Sequence, residues 1–171
     1  MHTHCIPLRC HPPIVRLTQV ESRDRHGVQE GIRMTGTSKK IVIVEDEPSA
    51  ADLFEEMMRF SGYEVVKIHS SSAAISVIRA ELPDAILLDM MMPDVSGIEV
   101  LRFMRREPNL KHIPVVIVSA RTLPADIRAG MEAGATAYLT KPVGLQDLRE
   151  TVAEVILTAE KLRAQTDPSS E

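Results

Sequence analysis

Asp84-Ala85-Ile86-Leu87-Leu88-Asp89-Met90-Met91-Met92-Pro93-Asp94-Val95-Ser96-Gly97 is the stretch from which the fold can be read. Ala85 to Leu88 is an apolar run of strand length, too short for a core helix. It stops at an acid, Asp89, and a turn segment with Pro93 and Gly97 follows. Uninterrupted apolar strands belong to parallel sheets covered on both faces. In such sheets the crevice outside the carboxyl ends of the strands receives the ligand. An Asp ending a strand is ordinarily a turn former or a helix cap. Asp89 therefore gains meaning only from what the other strands bring beside it.

Working outward, the same pattern recurs. Ile41-Val42-Ile43-Val44 is a β-branched run that ends in Glu45-Asp46-Glu47-Pro48. Pro48 suits the first turn of a helix, and the acids suit its positive end. Ala50, Leu53, Phe54, Met57 and Phe60 follow at helical spacing, and Ser61-Gly62 stops them. Tyr63 to Ile68 reads as a second strand, followed by a helix over Ala74, Val77 and Ile78 that ends at Leu82-Pro83. Gly97 precedes a helix with Val100, Leu101 and Met104. Val115 to Val118 is the fourth strand, ending in Ser119-Ala120-Arg121. Pro124 to Glu132 is a short helix with a thin stripe of Ile127 and Met131. Ala137 to Thr140 is the fifth strand, ending in Lys141-Pro142, and the last helix aligns Leu145, Leu148, Val152, Val155 and Ala159. Five strand–helix units in alternation predict an α/β fold, a five-stranded parallel sheet with helices on both faces.

The 171 residues suffice for one domain with a core, and 44% hydrophobic with 26% charged residues is a globular balance. A net charge of -4 gives no electrostatic footprint for nucleic acid. No apolar run approaches the ~20 residues of a membrane span, and prolines and Arg9 interrupt the first residues where a signal peptide would need an apolar core. The expected location is cytoplasmic. Residues 1–38 lack aromatic residues and sustained periodicity, and are read as a disordered extension, with Met34 as an alternative start. Both cysteines lie there, and His2, His4, Cys5, Cys10 and His11 match no common zinc spacing. Residues 39–160 are expected to form the domain, and 161–171 a disordered tail.

Aligning the strand ends places Glu45 and Asp46 after the first strand, Asp89 after the third, Ser119 after the fourth and Lys141 after the fifth. Three carboxylates in one crevice repel one another. A hard divalent cation resolves that repulsion, and oxygen ligands without His or Cys suit Mg²⁺. A lysine and a hydroxyl at the rim add donors for a phosphate. The set describes phosphoryl transfer by positioning and electrostatics, with Asp89 as the central acid.

At this point the chain resembles the receiver domain of two-component response regulators. The resemblance rests on Ile41 to Pro48, on Leu87 to Pro93 with Gly97, on Pro114 to Ala120, on Gly134-Ala135 and on Ala137 to Pro142, in that order. It implies a flavodoxin-like (βα)5 fold with strand order 2-1-3-4-5. It implies Asp89 as phosphoacceptor, Glu45, Asp46, Asp89 and the Met91 backbone carbonyl as Mg²⁺ ligands, and Lys141 as the phosphate-contacting lysine. Ser119 and Tyr138 would be the switch pair. The implied partners are a sensor histidine kinase or phosphotransfer protein and a downstream effector. The effector would dock on the face of the fourth helix, fifth strand and fifth helix. No nucleic acid or membrane is implied, and the chain would be a monomer or a weak phosphorylation-dependent dimer. Such a module signals in a phosphorelay without being an enzyme in the ordinary sense, although it promotes its own phosphotransfer and dephosphorylation. Only eleven residues follow Glu160, so no attached output domain is expected.

Three residues depart from the family pattern. Glu45 stands where Asp is more usual, Ser119 where Thr is commoner, and Val143 where Phe is frequent. A phosphatase with an aspartyl-phosphate intermediate would need an acid at Met91, two residues after the nucleophile. A nucleotide or flavin binder would need a Gly-rich or hydroxyl-rich loop after the first strand, where the chain has Glu45-Asp46-Glu47-Pro48.

Overall fold

In a computed structural model, which describes residues 14–16 and 38–166, the elements run in the order β1 (Ile14–Arg16), β2 (Lys40–Val44), α1 (Pro48–Phe60), β3 (Glu64–Ile68), α2 (Ser71–Glu81), β4 (Ala85–Leu88), α3 (Gly97–Arg106), β5 (Val115–Ser119), α4 (Pro124–Glu132), β6 (Ala137–Thr140) and α5 (Leu145–Thr166). The strands form one parallel sheet in the order β1-β6-β5-β4-β2-β3. Without β1, and counted from β2, this is the expected order 2-1-3-4-5.

The period-two alternation of each strand divides its side chains between two cores. Val42, Val44, Ile86, Leu88, Val115, Ile117 and Tyr138 face one way, against α2, α3 and α4. Ile41, Ile43, Leu87, Val116, Val118 and Leu139 face the other, against α1 and α5. This is why the strands read as unbroken apolar runs.

The helix starts follow local chemistry. Glu47 caps α1, its carboxylate accepting from the backbone N–H of Ser49 and Ala50 at 3.2 and 2.9 Å. Ser96 and Glu99 form a capping box at α3. Next to it, a Cβ on Gly97 would lie 2.1 Å from the Asp89 carbonyl oxygen, so only glycine lets α3 begin against the end of β4. Gly130 does the same for α4, where a Cβ would meet Ile117 and the Tyr138 ring at 2.8 and 3.2 Å.

Two boundaries differ from the expectation. Ile14–Arg16, inside the stretch read as a disordered extension, forms β1 and pairs in parallel with β6, Val15 opposite Tyr138. Periodicity could not reveal it, because three residues are too few to show a period, whereas an exposed sheet edge can recruit so short a strand. Helix α5 runs through Thr166, beyond Lys161 where fraying was expected. Its composition is polar there, which a solvated helix tolerates. The His/Cys group at the chain start lies outside the described residues.

Candidate functional site

Four strands deliver their carboxyl ends to one side of the sheet. The Glu45 N–H donates to the Ile68 carbonyl at 3.0 Å and the Asp89 N–H to the Val44 carbonyl at 3.0 Å, so both acids continue the ladder just past their strands. The Lys141 N–H donates to the Ser119 carbonyl at 2.8 Å and ties the end of β6 to that of β5. The Lys141–Pro142 peptide is cis.

The side chains of Glu45, Asp46 and Asp89 meet, with one carboxylate oxygen from each lying within 4.8 Å of the others. Glu45 and Asp89 are buried and Asp46 is half-buried. Lys141 Nζ donates to Glu45 Oε2 at 2.8 Å and lies 3.8 Å from Asp89 Oδ2. The ammonium also sits 5.8 Å above the ring of Phe54. Phe54 reads in the sequence as core, and its helical spacing gave no sign that its ring would underlie a cation.

The electrostatics follow from burial and charge count. Burial pushes the Glu45 carboxyl above its ordinary range, Lys141 opposes this, and the like charge of Asp89 adds to it. Among the described residues, three acids face a single ammonium, so the crevice is short of positive charge. An all-oxygen donor set that converges, among the described residues, without His or Cys, and lacks two compensating charges, fits a small hard divalent cation. Glu45 at the position where Asp is commoner has the reach to hydrogen-bond Lys141 directly.

Ser119 ends β5, the neighbour of β4, and is fully buried. Its Oγ accepts from the Arg121 N–H at 3.2 Å. Tyr138 is fully buried, and its hydroxyl donates to the Arg121 carbonyl at 2.9 Å. Burial raises the Tyr138 pKa. Ser119 and Tyr138 are therefore linked through one backbone segment, Arg121, which carries on into α4. The Arg121 guanidinium pairs with Asp126 of α4 at 3.1 Å. Met91 is half exposed, in the turn after Asp89. The structure thus brings Glu45, Asp46, Asp89 and Lys141 into contact. It sets Ser119 and Tyr138 in the adjoining β5–α4–β6 unit.

Residues 41–153 match the response regulator receiver domain family. The polar-differentiation response regulator DivK of Brucella ovis is 35% identical over 67% of this chain and 94% of its own length. Among solved structures, a CheY-like receiver domain protein from Methanospirillum hungatei superposes with a TM-score of 0.69 at 28% identity, covering 74% of this chain and 99% of that one. The receiver domain of a sensor histidine kinase from Pseudomonas aeruginosa, solved with a magnesium ion coordinated in its active-site cleft, is 28% identical with a TM-score of 0.66, covering 70% of this chain and 98% of that one. Among the described residues no helix is long and apolar enough to cross a membrane.

Proposed function

Because the chain belongs to the response regulator receiver domain family, we propose that residues 39–160 form a cytoplasmic phosphorylatable switch with Asp89 as its acceptor. The carrying observation is the convergence of Glu45, Asp46 and Asp89 at one sheet edge, with Lys141 bonded to Glu45 and 3.8 Å from Asp89. A carboxylate oxygen of Asp89 attacks phosphorus, the bond from phosphorus to the donor imidazole nitrogen breaks, and the histidine leaves with that electron pair. Lys141, already 3.8 Å from Asp89 Oδ2, turns to the added phosphoryl oxygens. Glu45, Asp46, Asp89 and the Met91 carbonyl would hold Mg²⁺, which when bound offsets the charge of the phosphoryl group and of the carboxylates. Phosphotransfer profiling tests the assignment. At least one phosphorylated histidine kinase or phosphotransfer protein of the host should pass its label to this chain within seconds, and a chain labelled by none is not a receiver in function.

The switch lies in β5, α4 and β6. A phosphoryl group adds about -1.5 to -2 charges. Driving a two-state equilibrium from 1:99 to 99:1 takes about 5.5 kcal/mol of differential binding. One charge-assisted hydrogen bond from Ser119 supplies about 1.5–3 kcal/mol, so Lys141 must supply much of the rest. Ser119→Ala should therefore still take up the phosphoryl group while its amide shifts at Arg121, α4 and Tyr138 shrink to half or less of those in the parent. Shifts as large as the parent's would remove Ser119 from the switch.

The effector docks on α4, β6 and α5. The observation favouring this face is that α4 buries only Gly130 fully, so few apolar contacts hold it and it can move. Arg128 projects from it, exposed. Arg128→Glu should weaken effector capture about tenfold, as expected for a lost interfacial charge pair, with phosphorylation unchanged. Unchanged capture would put the effector on another face.

A further inference from the structure

We propose that Ile14–Arg16 is a cap, supplied by the chain itself, on the open edge of the sheet at β6, and that it keeps this edge from pairing with a second copy of the chain. The pairing is a property of the sheet and does not rest on the docking-face reading.

The two edges of the five-strand unit differ. At β3 the edge carries Glu64 and Lys67, and Lys67 is held by ion pairs to Asp52 and Glu55. Charges of this kind discourage strand addition. At the other edge β6 is Ala-Tyr-Leu-Thr, all buried, with no charge and no proline. A short apolar edge with nothing to deter a partner is a template for a further strand. The chain fills that place with β1, in parallel register, Ile14 on Ala137, Val15 on Tyr138 and Arg16 on Leu139.

The backbone pattern identifies which groups are involved. The Lys141 N–H donates to the Ser119 carbonyl on β5, while the Ile86 N–H donates to the Pro114 carbonyl, so Val115, Ile117 and Ser119 turn their backbone groups to β6. Alternation back from Lys141 keeps the Leu139 N–H on β5 and turns the Tyr138 N–H and carbonyl toward β1, where the parallel register sets them against the Ile14 carbonyl and the Arg16 N–H. Ile14 and Val15 are β-branched residues that favour a strand. Reach is no obstacle to pairing within one chain. Lateral travel from β1 to β2 crosses four strand spacings, about 19 Å at about 4.8 Å each. The stretch from Arg16 to Lys40 can extend to roughly 75 Å at most, taking about 3.3 Å per residue.

The cap lies beside Tyr138 and on the edge between α4 and α5, so a chain wearing it cannot offer that edge to another strand. Removing the cap should expose a backbone edge that a second β6 can pair with.

Amide hydrogen exchange of the full chain tests the cap without any partner. Arg16→Pro removes the β1 donor, and Arg16→Thr retains that N–H as control. The Tyr138 amide should exchange about tenfold or more faster in Arg16→Pro than in the parent or in Arg16→Thr, the loss expected for one or two backbone hydrogen bonds. Protection in the parent should not change on hundredfold dilution. Equal Tyr138 protection in Arg16→Pro and the parent overturns the cap, and protection that falls on dilution overturns its supply by the same chain. Sedimentation velocity tests the consequence. Arg16→Pro should self-associate at concentrations where the parent sediments as a monomer, and an Arg16→Pro protein that remains monomeric overturns the shielding role. Neither result depends on whether Arg128 contacts an effector, so the cap and the docking face can fail separately.

Discussion

Asp89→Asn will fold as the parent does and will take no phosphoryl group from acetyl phosphate or from a phosphorylated kinase. The substitution preserves shape and one carbonyl oxygen but removes the nucleophilic carboxylate. It also removes one of three crowded acids, so repulsion with Glu45 and Asp46 falls and the melting temperature should hold or rise. Among the described residues, the polar group within ion-pair distance that loses a partner is Lys141, and it keeps Glu45 at 2.8 Å. Loss of labelling should therefore be complete while circular dichroism and melting remain at parental values. Equal labelling of the variant would move the acceptor to another residue.

Chelating divalent cations should have an effect of the same size on the unaltered chain. Without a cation, an incoming phosphoryl group meets three carboxylates and a single ammonium. Phosphoryl transfer depends on offsetting that charge, so EDTA should abolish labelling and excess MgCl2 should restore it. Titration calorimetry with MgCl2 alone gives a second readout that needs no phosphate. One binding event per chain is expected in the parent and none in Asp46→Ala. Full labelling in EDTA would show that Lys141 alone compensates the phosphoryl charge, and would remove the metal from the account.

Most of the core sheet could be read from residues because burial on both faces writes each strand as an apolar run. Ile41 to Val44, Ala85 to Leu88 and Val115 to Val118 are of this kind, and the helices between them carry clear 3.6-residue stripes. The acids were legible because each falls at the end of such a run. What remained hidden depends on packing across the sequence. Phe54 beneath Lys141 and Gly97 against the Asp89 carbonyl require the helices to be set on the sheet first. The hydrogen bond of Tyr138 to the Arg121 carbonyl has no sequence signature, since any residue could supply that acceptor. Strand β1 was missed because its identity comes from the edge it joins and not from its own pattern. The polar end of α5 was missed because amphipathicity is a sign of burial, and a helix continuing into solvent needs none.

The central claim is that Asp89 is the residue that carries the phosphoryl group. Borohydride reduction of the phosphorylated chain, followed by proteolysis and tandem mass spectrometry, converts an acyl phosphate into a stable mark at its own residue and tests this claim most directly. The account predicts one marked position, Asp89, dependent on Mg²⁺ and absent without phosphodonor. A mark at Glu45, Asp46 or any other residue, with Asp89 unmodified, would contradict it.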